Sequence, residues 1–85
     1  MAARPLEIGP YGIRAARTIE ILRTERGLAQ REFAARVSAF GRPMTNTMLS
    51  HIERAQPRCD IDDLVALAQA LRVSPLALLH GVQAA

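Results

Sequence analysis

Residues Gln30 to Glu53 constrain this chain more than any other stretch. Two short amphipathic segments stand on either side of a turn that holds both glycine and proline, Gly41-Arg42-Pro43. Phe33, Ala34 and Val37 recur at helical spacing before the turn, and Leu49 and Ile52 after it, with Met44 just ahead of the second segment. The outward positions of the second segment are short and polar: Asn46, Thr47, Ser50 and His51. Pro43 disfavours helical backbone at Arg42, and Thr45 supplies an N-cap hydroxyl for a helix starting at Asn46. The pattern predicts two helices joined by a structured turn, each with one face committed to a core.

The rest of the chain provides that core. A chain of 85 residues makes one small domain, and 49% apolar composition suffices to fold it without staples. With aromatics at 4%, the core is aliphatic and rich in alanine. A first helix is expected from Tyr11 or Gly12 to Arg26, with Ala15, Ile19, Leu22 and Arg26 on one face and Gly27 closing it. Arg23 stands beside that apolar face, and a buried guanidinium there requires a partner. The second helix starts near Gln30, after Ala29, a weak cap, and runs on through Ser38-Ala39-Phe40. Phe40, seven residues after Phe33, is expected to lengthen the core on the same face. The third helix spans Asn46 to Arg54. Asp60 caps a fourth, with Asp62 and Asp63 suiting its positive end and Ile61, Leu64, Val65, Ala68 and Leu71 as its buried stripe. Ser74-Pro75 starts a fifth helix, Leu76 to His80, which Gly81 stops. Residues 1–10 are expected as a flexible arm, 11–81 as the domain and 82–85 as a loose end. Arg4 on the arm is within the repertoire of a phosphate or minor-groove contact, though a free tail is the plainer reading.

Several function classes drop out. The single cysteine, Cys59, forbids an intrachain disulfide, and His51 and His80 stand too far apart, with no nearby cysteine, for metal-ligand spacing. No metal and no cofactor is expected. There is no phosphate-cradling glycine loop and no nucleophile–base pair at suggestive spacing, so the chain does not read as an enzyme. No apolar run approaches the roughly 18–20 residues of a membrane span, and the amino terminus lacks a signal-peptide block, so a cytoplasmic, non-membrane protein is expected. The net charge of +3 permits an anionic partner without demanding one. On the residues alone, the polar face of the third helix reads equally as a solvated surface and as a face laid in the DNA major groove, where base edges offer donors and acceptors.

The order and spacing of landmarks narrow that choice. Leu22-Arg23 precede Gly27-Leu28, then come Gln30 with Phe33-Ala34, and Leu49-Ser50 with Ile52-Glu53. Leu64, Leu67-Ala68, Leu71, Val73-Ser74-Pro75 and Leu78-Leu79 follow. Over residues 12–80 the chain resembles the Cro/CI-type, or XRE-like, helix-turn-helix domain of phage repressors and related bacterial regulators. The resemblance implies an all-α, compact five-helix, lambda-repressor-like DNA-binding fold with the helix-turn-helix at helices two and three. It implies a transcription regulator, a dimeric repressor, bound to operator-like double-stranded DNA with two-fold symmetry matching its own, and associated with the nucleoid when bound. Asn46, Thr47, Ser50 and His51 take the base-reading positions. Gln30, Arg31, Arg42, Thr45, Arg54 and Arg58 take backbone-contact positions, Gln30 also bracing the reading helix. Arg23 and Glu53 match a buried ion pair linking the first and third helices; the plainer reading of Glu53 is an exposed helical charge. Leu76, Leu79 and Val82, with the 55–59 connection, match a dimer interface. A restriction–modification controller, an antitoxin of a toxin–antitoxin pair, or an adaptor with a protein partner and no DNA binding remain as alternatives.

Three departures from the family pattern stand out. The segment from Ala34 to Thr45 exceeds the usual turn of roughly 3–4 residues. Ala55 replaces the glycine common after the third helix. No separate oligomerisation domain of the kind that many repressors carry is expected after the fifth helix.

Overall fold

A computed structural model describes residues 8–56 and 59–81. The proposed arm as far as Glu7, Arg58 and Val82 lie outside the described residues. The fold is all-helical, with α1 Pro10–Glu25, α2 Gln30–Ala39, α3 Asn46–Glu53, α4 Ile61–Leu71 and α5 Pro75–His80. The helices pack around one aliphatic cluster in which Ile19, Phe33, Val37, Leu49, Leu67, Leu71 and Leu78 are essentially fully buried.

Local chemistry explains where the helices begin. Pro10 opens α1 instead of preceding it, because its fixed φ and missing N–H suit the first helical position. Thr45 Oγ1 accepts from the Met48 amide at 3.0 Å, Asp60 Oδ1 from the Asp63 amide at 2.7 Å and Ser74 Oγ from the Leu76 amide at 3.1 Å. Ala29 has no acceptor to offer α2, so only the returning half of a capping box exists there: Glu32 Oε1 accepts from the Ala29 amide at 3.2 Å.

The ends share one device. After α1, the Leu28 amide reaches Arg23 O and the Gly27 amide reaches Thr24 O, with Gly27 at φ 68°. The same pair of bonds closes α3 through Ala55 at φ 57° and α4 through Arg72 at φ 60°. Ala55 therefore closes α3 in the left-handed conformation, with the bonds that Gly27 makes after α1.

Three expectations about faces are corrected. Phe40 is 50% exposed, because α2 ends at Ala39 and the aromatic ring leaves the helical face with the turn. On α4, Ile61 and Val65 lie outside the core, and the buried residues are Ala66, Leu67, Ala68, Ala70 and Leu71. Wedged among α1, α2 and α5, α4 buries the arc centred on Leu67 and Leu71, and Ile61 and Val65 fall to its open side. Arg26 is exposed; the polar residue that α1 buries is Thr18, whose hydroxyl donates to Arg14 O at 2.8 Å.

Candidate nucleic-acid interface

Helix α3 rests on α1 and α2 through Leu49 and Ile52. Successive residues turn by about 100°. With Leu49, Ile52 and Glu53 inward, Thr47, His51 and Arg54 point to the opposite side, and all three are exposed. Asn46 stands exposed at the first turn, and Ser50 is half-buried at the edge of the face. Arg54 Nη2 donates to Ser50 Oγ at 2.9 Å, which joins these two side chains into one polar unit. Met48 is 43% exposed beside them and did not figure in the sequence reading. Its spacing of four from Ile52 reads as core, but with Leu49, Ile52 and Glu53 inward it falls about 90° to the side of the buried arc.

The inner end of α3 is held by a carboxylate with three donors. Arg23 Nε donates to Glu53 Oε2 at 2.6 Å and Arg23 Nη2 to Glu53 Oε1 at 3.0 Å. Gln30 Nε2 donates to the same Oε1 at 2.9 Å, and Arg23 Nη1 to Leu28 O at 2.8 Å. The Glu53 side chain retains 2% of its exposure. A buried carboxylate is tolerable only when its lone pairs are filled, and this one is filled from two other helices. The hydrogen bond to Glu53 raises the Arg23 pKa above the usual guanidinium value, against the opposing effect of burial. The side-chain amide of Gln30, expected to meet the DNA backbone, is thus turned inward toward Glu53.

The outer end of α3 is held by the lengthened turn. Ser38 Oγ accepts from the Met44 amide at 2.9 Å and lies 2.9 Å from Ala34 O, to which it donates. Met44 is buried, so the turn has an apolar anchor as well. Arg42, a backbone-contact position by the resemblance, is paired with two carboxylates. Its Nε donates to Asp63 Oδ1 at 2.7 Å and its Nη2 to Asp60 Oδ2 at 2.5 Å. The bond to Asp63 raises the Arg42 pKa, and Asp60 and Asp62 add to the effect. Among the remaining sequence candidates, Arg31 and Thr45 are exposed.

A family model described as helix-turn-helix matches residues 19–78. The chain belongs to the helix-turn-helix family, of the XRE type. This is a family of DNA-binding regulatory domains and not one of enzymes. In the helix-turn-helix domain, α2 and α3 are the two namesake elements and residues 40–45 are the turn. The crystal structure of a hypothetical transcription factor, NHTF, from Neisseria is similar, with a TM-score of 0.71 over 93% of this chain and 84% of that one. At 24% identity the likeness shows a shared fold. No curated protein sequence matches the chain.

The domain also presents an apolar cleft of about 290 Å³, lined among others by Tyr11, Ile19, Ile52, Ile61, Leu64 and Leu79. Leu79 is half-buried, whereas Leu76, one helical turn earlier, is 60% exposed.

Proposed function

We propose that this helix-turn-helix protein is a sequence-specific transcription regulator, a dimeric repressor that lays α3 in the major groove of double-stranded DNA. One observation carries the reading. The exposed side of α3 is polar, with Thr47, His51 and Arg54 opposite the core and Asn46 at the first turn, while Glu53, Arg23 and Gln30 fix the helix to the body from behind. A reading helix needs that combination, because base discrimination depends on donors and acceptors held at set positions.

Asn46 pairs bidentately with adenine in this reading; Thr47 offers a methyl to thymine, and His51 a donor to guanine. Ser50 acts with Arg54, one toward a base and the other toward phosphate. Phosphates are met by Arg31, by the main chain at Gln30, and by Thr45 with the first-turn amides of α3, which point out of a helix start. Two copies joined through α5 place two reading helices roughly 34 Å apart on successive major grooves.

Selection of duplexes from a random-sequence library, followed by a salt titration, tests the proposal. The expected product is a two-fold-symmetric site whose binding constant falls steeply with salt. Asn46→Ala is expected to cost roughly 1–3 kcal/mol on that site and to relax preference at one base position per half-site. Recovery of no preferred sequence, or an Asn46→Ala variant as selective as the parent, overturns the assignment of the reading face.

A further inference from the structure

We infer that Arg42 is a positioning residue for α3: by clasping Asp60 and Asp63 it ties the lengthened turn to the start of α4, and so sets where Asn46 and Thr47 present themselves. This rests on the DNA-reading role proposed above. Helix α3 packs on α1 and α2, and the turn supplies its tie to α4. The ion pairs span 18 and 21 residues of sequence. Only three residues separate Arg42 from Asn46. One of these is Pro43, with its fixed φ, and the next is Met44, which is buried and bonded to Ser38. Displacement at Arg42 therefore passes to the first turn of α3 with little slack. At the other end of the helix, Glu53 is already fixed by Arg23 and Gln30. The recognition helix is suspended at both ends, and Arg42 is part of the suspension at the end where bases are read.

Charge argues against a direct phosphate role. Two carboxylates hold the guanidinium and Asp62 stands near, so this corner is negative in sum. A phosphate would have to displace Asp60 and Asp63 and then sit beside them. The planar fork suits the task of bridging two carboxylates, which a lysine ammonium performs poorly.

The test compares the parent with Arg42→Ala, Arg42→Lys and the double variant Asp60→Asn/Asp63→Asn. Asparagine keeps the α4 cap, so the double variant loses charge and not the helix start. The probes are the duplex selected by the parent protein and a shuffled duplex of the same composition, at one low salt concentration. A positioning role predicts that Arg42→Ala lowers affinity for the selected duplex roughly tenfold, the order of one misplaced base contact. Affinity for the shuffled duplex, and its salt slope, stay at parental values, and Arg42→Lys recovers part of the loss. The double variant lowers the ratio of selected to shuffled affinity. A phosphate role predicts the reverse pattern: Arg42→Ala weakens both duplexes equally and reduces the salt slope by about one, while the double variant, with Arg42 released, binds both more tightly. Either of these results overturns the inference.

Amide exchange in the free proteins reads the clasp without DNA. Exchange at Met48 and Leu49 is expected to quicken in Arg42→Ala and in the double variant, with Ile19 and Leu71 unchanged. Unchanged exchange at Met48 and Leu49 refutes the clasp whatever the DNA result. A parent protein that selects no duplex refutes the DNA reading and leaves the exchange arm to judge the clasp.

Discussion

Ala55 and Arg72 each hold a left-handed backbone, at φ 57° and φ 60°, where a Cβ crowds the following carbonyl. Each closes a helix with the bonds that Gly27 makes after α1 without that cost. Arg72→Gly is expected to raise the unfolding free energy by about 1 kcal/mol, since its side chain is exposed. Ala55→Gly should gain less, because the half-buried methyl of Ala55 lines the apolar cleft. Urea unfolding at constant m-value measures both. A second residue-scale expectation concerns Cys59. Burial pushes its thiol up to about 12, with Asp63 and Asp60 adding to the shift. The unfolded thiol titrates near 8.5. Above that pH the unfolded chain ionises while the folded one keeps its proton, so this group lowers stability progressively between about pH 8.5 and 12. At pH 8 the folded protein should react with a disulfide reagent far more slowly than the chain in guanidinium, because the thiolate is the reacting species. Equal rates would show that Cys59 is not shielded.

At the scale of elements, helix starts were legible because caps are local. Thr45, Asp60 and Ser74 announce α3, α4 and α5 in the sequence and bond to those helices in the structure. Rotation of a helix about its own axis is not local. Apolar residues surround most of α4, so periodicity puts Ile61 and Val65 on its buried stripe, whereas packing against α1, α2 and α5 centres the buried arc on Leu67 and Leu71. Phe40 was misjudged because a seven-residue spacing has meaning only while the helix continues. The ion pairs of Arg42 carry no local signal, because its partners lie far along the chain. Arg23 was read differently: a charge beside an apolar face demands a partner, and Glu53 was the residue that the family resemblance offered. That contact makes a strong prediction about how α1, α2 and α3 hold together. Glu53→Ala leaves Arg23 buried without its carboxylate and should cost about 3–5 kcal/mol. Arg23→Met combined with Glu53→Leu removes both charges and should recover most of that loss. Thermal unfolding of the two variants decides the matter, and a Glu53→Ala protein as stable as the parent would show that the ion pair adds nothing. The double variant also tests what the pair is for: recovered stability with lost duplex selectivity would assign it to orientation of α3.

For the whole molecule, the side that carries α5 is where a second copy is proposed to meet the first. Tyr11, Ile61 and Leu76 expose apolar surface, and Tyr11, Ile61 and the half-buried Leu79 border the same cleft. Leu79 serves the body of its own domain as well, so Leu76 is the cleaner probe. In a two-fold dimer each substitution counts twice, once from each copy. Burial of one leucine side chain is worth roughly 1.5–3 kcal/mol, so Leu76→Asp should weaken association by at least about a hundredfold. Its own fold should change little, because Leu76 is already largely in water in the single chain. Sedimentation across a concentration series should then show a monomer where the parent shows a dimer. Affinity for an isolated half-site should be kept, whereas affinity for the full symmetric site should fall with the loss of dimerisation. Unchanged sedimentation would remove Leu76 from the interface. A fall in half-site affinity would show instead that α5 acts on α3 within a single domain, through α1, which packs on both.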